Sequence, residues 1–174
     1  AHVDKARFWS TQAKDPRFLH YEHLEMGYNY RMSNVLAGIG RGQLEVLELR
    51  VAQRRAIADR YCEAFADLPG IEPMPEAPHC FSNRWLSCFL IDEAKFGCSR
   101  DELIRRLDEA GIETRPVWKP MHMQPFFAGC ESFGGEVAED LFQRGICLPS
   151  SSSLNEDDQQ RVVESVKAAV TTLV

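Results

Sequence analysis

One long helical pattern dominates the sequence and limits what the rest of the chain can fold into. It begins at Ser33 or Asn34, either of which is a good N-cap, and continues to about Asp67. Its apolar positions recur at helical intervals: Val35, Ile39, Leu44, Leu47, Val51, Ile57, Tyr61 and Phe65. Glycines at positions 38, 40 and 42 each cost up to about 1 kcal/mol against Ala in a helix interior. We therefore predict a long helix with a kink or break near Gln43.

Shorter segments that alternate between strand and helix follow this pattern. Leu68-Pro69-Gly70 ends the long helix, and three prolines then keep the chain extended to about Ser82. Trp85 to Ile91 is a continuous apolar run of strand length, which is typical of a strand covered on both faces. Ser99 and Glu102 form a capping box that opens the next helix, and Gly111 ends it.

The remaining third of the chain continues the alternation around one long loop. Residues 113–117 predict an edge strand, because Pro116 cannot donate to a central ladder. Residues 118–135 predict an irregular loop, and a loop of that length in a compact domain is more often functional than not. A short helix, a strand at residues 146–148 and a last helix capped by Asn155, with Leu173 facing inward, complete the pattern. The class is α/β, with helices packed on a small sheet.

Charge and composition exclude several classes of function. The formal net charge is -6, from 26 acidic and 20 basic residues, and the basic residues are scattered, which argues against nucleic-acid binding. The apolar runs are too short to span a membrane, and no signal peptide opens the chain. Six cysteines without a Cys-x-x-Cys pair favour reduced thiols, and with them a cytoplasmic protein.

The segment from Gly27 to Asn34 carries the strongest indication of a ligand. If it is extended, Asn29 and Arg31 project on the same side, directly before a helix N-terminus that favours an anion. An amide, a guanidinium and a helix start together suit a phosphate. The alternative is that Tyr28 and Tyr30 anchor the loop by packing while Arg31 pairs with a carboxylate such as Glu25.

The same segment resembles a known enzyme family. Residues 27–34 read Gly-Tyr-Asn-Tyr-Arg-Met-Ser-Asn, and with residues 36–45 and 54–61 they closely resemble the nucleotide-sugar aminotransferases of the DegT/StrS family, which are fold-type I pyridoxal-phosphate (PLP) enzymes. The resemblance implies that Asn29 reaches across a homodimer interface to the cofactor phosphate of the neighbouring subunit, with Arg31 close by. It also implies three regions: 1–32, the end of the PLP-binding large domain with an active-site loop; 33–67, an inter-domain helix; and 68–174, the small C-terminal α/β domain.

A second resemblance lies in the predicted loop. Residues 114–125 read Thr-Arg-Pro-Val-Trp-Lys-Pro-Met-His-Met-Gln-Pro, and with residues 83–86 they are similar to family members that aminate UDP-linked 4-keto-6-deoxy amino sugars of the bacillosamine type. The resemblance makes Trp118, Lys119, His122 and Arg115 the candidates for contacting the substrate. Alternatively, His122 is a surface residue, and Trp118 and Met121 cover the core.

Two further expectations concern groups that the sequence lacks. His20 and His23 have no third ligand at a sensible spacing, so we expect no metal site. The family resemblance places the lysine that binds PLP covalently before the equivalent of Ala1, and none of the five lysines here matches it. We therefore expect no catalytic residue in this chain and no amino transfer by the chain alone.

The function implied for the whole protein is transfer of an amino group, from glutamate, to a nucleotide-linked keto-sugar for glycan synthesis. Two alternatives remain open at the level of sequence. Some relatives carry His instead of the lysine and dehydrate the sugar. The chain could also be a module without catalysis that dimerises or binds a phosphorylated ligand.

Overall fold

The computed structural model describes residues 1–17, 20–23 and 25–170, so the predicted inward position of Leu173 lies outside the described residues. The chain forms two compact units, Ala1–Leu47 and Glu48–Val174. The boundary between them falls inside the predicted long helix. The regional limits 1–32, 33–67 and 68–174 stay a prediction.

The first unit consists of two helices and the segment between them. Helix α1 spans His2–Ser10, and α2 spans Asn34–Glu45. Isolated bridges join Thr11 to Asn29 and Lys14 to His23 in the intervening segment. The long helical pattern is interrupted at Val46, close to the predicted break, and resumes as α3 at Leu47–Phe65.

The second unit is built on a four-stranded antiparallel sheet. Its strands are β1 (Ile71–Pro73), β2 (Ser87–Ile91), β3 (Arg115–Pro116) and β4 (Gly145–Leu148), in the order β1-β2-β4-β3. The predicted strands near residues 85–91, 113–117 and 146–148 are confirmed, and β3 is an edge strand as expected. Strand β1 was predicted only as an extended connector.

Each edge strand carries a proline whose missing N–H faces away from the sheet. The Met74 N–H donates to the Cys88 carbonyl (2.9 Å), so the preceding residue, Pro73, turns its nitrogen outward. The Val117 N–H likewise donates to the Gly145 carbonyl (3.0 Å), which turns the nitrogen of Pro116 outward. Neither proline therefore removes a ladder hydrogen bond, and both make the edges poor templates for further pairing.

Four helices complete the second unit: α4 (Glu93–Phe96), α5 (Arg100–Glu109), α6 (Glu136–Arg144) and α7 (Glu156–Ala169). Both N-caps predicted for this unit are confirmed, but the capping box at Ser99 is only half formed, because the Glu102 carboxylate accepts from Arg105 and Arg106 instead. Ser99 Oγ accepts from the Glu102 N–H (3.2 Å), and Asn155 Oδ1 accepts from the Asp158 N–H (2.7 Å). The predicted loop at residues 118–135 holds two short 3₁₀ turns, Met121–Met123 and Pro125–Phe127.

The core lies where β2 and β4 meet the apolar faces of α3, α5 and α7. Phe89 packs edge-on against Phe65 (5.4 Å between ring centroids) and Tyr61 (6.3 Å). The largest fully buried side chains are Tyr61, Phe89, Phe96, Ile57, Ile91, Leu103, Leu107, Ile146, Leu148 and Val166. The predicted α/β class with helices on a small sheet is confirmed. Within the described parts of the chain, no helix has the length and apolar character needed to cross a membrane.

Candidate functional site

The segment from Gly27 to Tyr30 is extended because it pairs with the last residues of α1 and the chain directly after them. The Tyr28 N–H donates to the Trp9 carbonyl (2.7 Å), and the Tyr30 N–H donates to the Ser10 carbonyl (3.0 Å). Gly27 lies so close to this neighbour that an added Cβ would stand 2.2 Å from the carbonyl carbon of Gln12. Glycine is therefore required here by close backbone approach rather than by an unusual dihedral angle.

Side chains alternate along this extended segment. The rings of Tyr28 and Tyr30 stack on each other at 5.1 Å between centroids, with planes 15° apart. Residues two positions apart share one side of an extended chain, so Asn29 and Arg31 share the other side. Both are exposed, and in the described part of the molecule neither side chain has a hydrogen-bond or ion-pair partner.

The alternative that Arg31 pairs with Glu25 does not hold, because Glu25 is already engaged. Its carboxylate accepts hydrogen bonds from Lys5 Nζ and from Trp9 Nε1 (2.9 Å for the Trp9 bond). The hydrogen bond from Lys5, and then that from Trp9, lowers the pKa of Glu25 below its ordinary value. The guanidinium of Arg31 is left available to a ligand.

Helix α2 begins directly after these two side chains. Ser33 is its N-cap, and Ser33 Oγ accepts from the Leu36 N–H at 3.3 Å. The other N–H groups of the first turn have no partner inside the helix, and the helix dipole favours an anion there. A guanidinium, a carboxamide and a helix N-terminus with free donors form a set that fits a phosphate group.

A groove of about 950 Å³ in the second unit contains three of the four predicted substrate residues. Arg115, Trp118 and Lys119 line it, together with the connection from β4 to α7. Arg115 pairs with Glu113, whereas Lys119 has no polar partner among the described residues. Trp118 is 63% exposed, so it does not cover the core. Met121 is exposed too, which leaves that alternative without support.

Trp85 is a groove residue that the sequence did not single out. Its indole is 60% exposed and stacks on that of Trp118 at 5.8 Å, with planes 26° apart. Its backbone is held on both sides, since the Trp85 N–H donates to Asn83 Oδ1 (3.0 Å) and Arg54 Nη1 donates to the Trp85 carbonyl (2.6 Å). An exposed indole on a firmly held backbone is well suited to contacting a ligand.

A half-buried carboxylate organises the chain that leads to Trp85. Glu76 accepts from the Ser82 N–H and forms ion pairs with Arg84 (2.8 Å) and Arg55 (3.3 Å). The backbone hydrogen bond from Ser82 is the largest cause that lowers the pKa of Glu76. The four residues come from α3 and from both ends of the β1–β2 connection, so no local pattern in the sequence could have revealed the cluster.

The predicted substrate residue His122 lies apart from this groove lining. Its Nε2 is 2.9 Å from Glu139 Oε1 on α6, and the ring is half-buried. The other histidines of interest are also occupied: His20 lies 3.2 Å from Glu22, and His23 Nδ1 contacts the Gln12 carbonyl at 2.8 Å. Within the described ranges, no three potential metal ligands come together.

Comparisons with known proteins confirm the family resemblance. The model of the DegT/DnrJ/EryC1/StrS aminotransferase family matches residues 1–167. EpsN of Bacillus subtilis (strain 168), named as a pyridoxal phosphate-dependent aminotransferase, is 49% identical over 94% of this chain and 42% of its own length. GDP-perosamine synthase of Escherichia coli O157:H7 is 37% identical over 84% of this chain and 38% of its own length.

Solved structures give the same picture for the fold. The aminotransferase TlmJ from Streptoalloteichus hindustanus superposes with a TM-score of 0.82 at 26% identity, over 96% of this chain and 44% of that one. DesV of S. venezuelae superposes with a TM-score of 0.78 at 26% identity, over 99% of this chain and 45% of that one. The chain thus spans about two-fifths of the length of the curated relatives that it matches.

Proposed function

Since the chain belongs to the DegT/DnrJ/EryC1/StrS aminotransferase family, we propose that it works as part of a PLP-dependent enzyme that moves an amino group from glutamate to a nucleotide-linked keto-sugar. One observation carries the proposal. The side chains of Asn29 and Arg31, which are exposed and have no polar partner among the described residues, lie on one side of an extended segment that leads directly into the N-terminus of α2.

PLP is the cofactor of this family, and its phosphate fits the donors of the first unit. Asn29 and Arg31 would hold that phosphate by charge-assisted hydrogen bonds, and the first turn of α2 would add free N–H groups. The bound cofactor supplies the electron sink for amino transfer. The role of this chain is to bind and orient the phosphate, and following the family resemblance the phosphate belongs to the neighbouring subunit of a homodimer.

The groove of the second unit is our proposed site for the sugar nucleotide. The stacked indoles of Trp85 and Trp118 offer a flat apolar surface to a nucleobase or to the face of a sugar ring. Lys119 and Arg115 place positive charge beside that surface for a diphosphate. His122 remains a predicted substrate contact, which would require the ring to exchange Glu139 for the ligand.

Cofactor binding by the full-length protein tests the proposal. We expect Asn29→Ala and Arg31→Ala each to weaken PLP binding about ten- to a hundred-fold, because a hydrogen bond to a charged group contributes about 1.5–3 kcal/mol. Binding of pyridoxal, which has no phosphate, should be unchanged in the same variants. The measurement is fluorescence titration of the apoprotein with each compound.

Arg41→Ala is the matched control, since Arg41 is an exposed arginine farther along α2. Its affinity for PLP should equal that of the wild type. Unchanged PLP affinity in both Asn29→Ala and Arg31→Ala, or an equal loss of pyridoxal affinity, would contradict the assigned role.

The reaction itself separates the proposal from its alternatives. An aminotransferase turns over repeatedly with glutamate and a keto-sugar nucleotide, and it leaves a new amino group on the sugar. A PLP-dependent dehydratase removes water from the sugar nucleotide and leaves no new amino group on it, and a non-catalytic module does neither. Two substrates should be compared, a UDP-linked 4-keto-6-deoxy sugar and its GDP-linked counterpart. The loop motif suggests the UDP-linked sugar, and the name of the relative GDP-perosamine synthase suggests the GDP-linked one.

A further inference from the structure

Two cysteine side chains meet across the middle of the sheet. Cys88 on β2 stands directly opposite Cys147 on β4, although the two are 59 residues apart in sequence. Their sulfur atoms are 3.7 Å apart, within hydrogen-bond distance for thiols. All six cysteines are free thiols, and among the described residues no other pair has sulfurs in hydrogen-bond contact.

The hydrogen-bond pattern of the sheet shows which kind of pair this is. The Cys88 carbonyl accepts from the Met74 N–H (2.9 Å), so the backbone of Cys88 points toward β1 rather than β4. The Val117 N–H donates to the Gly145 carbonyl (3.0 Å), and Cys147, two residues farther along β4, therefore points its backbone toward β3. Cys88 and Cys147 consequently form a non-hydrogen-bonded pair.

That geometry suits a covalent bond between the two side chains. In a non-hydrogen-bonded antiparallel pair the Cα atoms are about 4.5 Å apart and the side chains approach most closely. Disulfides span Cα separations of about 4.4–6.8 Å, so the backbone need not move. Rotation about the two Cα–Cβ bonds is the change required to bring the sulfurs together.

We propose that Cys88 and Cys147 are an oxidation site at which hydrogen peroxide forms a cross-strand disulfide. The thiolate of one cysteine attacks the peroxide, so an S–O bond forms, the O–O bond breaks, and one water leaves after protonation. The sulfur of the second cysteine then attacks the resulting sulfenic acid. An S–S bond forms, the S–O bond breaks, and the second thiol proton leaves with the hydroxyl group as water. In sum, two thiols are oxidised and one molecule of hydrogen peroxide is reduced.

Cys88 is the better first nucleophile of the two. It is half-buried, whereas Cys147 is 6% exposed. A hydrogen bond from the Cys147 thiol lowers the pKa of Cys88, and the same contact raises the pKa of Cys147. A small oxidant can also approach Cys147, because that residue lines the groove beside Trp118.

The test treats the reduced chain with hydrogen peroxide, blocks the remaining thiols with an alkylating agent in acid, and maps the disulfides by mass spectrometry after proteolysis. We expect the main product to be an intramolecular link between the peptides that contain Cys88 and Cys147, lighter by two hydrogen atoms than the reduced pair. Dithiothreitol should restore both thiols.

Variants then show whether the pairing is specific. Cys88→Ser and Cys147→Ser should each abolish the intramolecular disulfide, whereas Cys62→Ser, which removes a half-buried thiol on α3, should leave it unchanged. The mapping in the wild type does not depend on any variant folding. If peroxide links Cys80 or Cys130 instead, or leaves Cys88 and Cys147 alkylated at the end of the reaction, the proposal is wrong.

Discussion

The hydroxyl of Ser150 should stabilise the second unit far more than a surface serine does. Ser150 Oγ accepts a hydrogen bond from the Ser87 N–H (2.7 Å) and donates one to the Leu148 carbonyl (2.6 Å). It thereby joins the start of β2 to the end of β4 next to the groove. Ser87 and Ser150 are both buried, so no solvent replaces the hydroxyl when it is removed.

Replacement of Ser150 by Ala removes two buried hydrogen bonds, one accepted from the Ser87 N–H and one donated to the Leu148 carbonyl. A typical intramolecular hydrogen bond contributes about 0.5–1.5 kcal/mol. We therefore expect Ser150→Ala to lower the free energy of unfolding by about 1–3 kcal/mol. The slope of the transition in urea should stay the same, because the surface exposed on unfolding does not change.

Urea denaturation of the chain, followed by far-ultraviolet circular dichroism, measures this difference. Ser153→Ala is the matched control, since Ser153 is exposed and its hydroxyl contacts only Ser151. Its effect should be within about 0.5 kcal/mol of zero. If Ser150→Ala also lies within that range, the bridging hydroxyl contributes no net stability and our account of the strand ends is wrong.

Two other predictions concern the charge on α5 and the tryptophans of the groove. Hydrogen bonds from Arg105, and then from Arg106, lower the pKa of Glu102 to about 2. The ion pairs of Glu102 therefore stabilise the fold above the unfolded-state pKa, and this stabilisation is lost as the pH falls toward about 2. Unfolding free energies measured from about pH 5 downward should therefore fall less steeply in Glu102→Gln than in the wild type, and parallel curves would contradict this. For the groove, uridine diphosphate should quench the tryptophan fluorescence of the chain. Trp85→Leu and Trp118→Leu should lose most of the quenching and Trp9→Leu should keep it, whereas equal quenching in all three would refute binding at the indole pair.

Helix limits were predictable because their causes are local. Ser99 and Asn155 cap helices through side chains that bond to N–H groups three residues later, and such pairs can be read directly from the sequence. The break in the long helix at Val46 follows from nearby glycines in the same way. Strand β1 was not predicted, because Pro73 argues against a strand until its nitrogen is known to face away from β2.

The proposed phosphate-binding residues of the candidate site were predictable from local sequence, whereas the tryptophan pair of the groove was not. Asn29 and Arg31 are two residues apart, and alternation along an extended chain suffices to bring them to one side. The contact between Trp85 and Trp118 joins the chain before β2 to the chain after β3, and these strands are not neighbours in the order β1-β2-β4-β3. The ion pairs of Glu76 were not predicted, because its partners Arg55 and Arg84 lie on different parts of the chain.

The sequence by itself determined the periodic helices, their caps, the edge position of Pro116 and the family motif, because each depends on residues within a few positions of one another. Only the tertiary structure shows that the Glu25 carboxylate accepts hydrogen bonds from Lys5 and Trp9, so that Arg31 is available to bind a ligand. It also decided that the thiols of Cys88 and Cys147 face each other. Such contacts depend on the register of paired segments, which is set by the packing of the whole unit and not by local propensity.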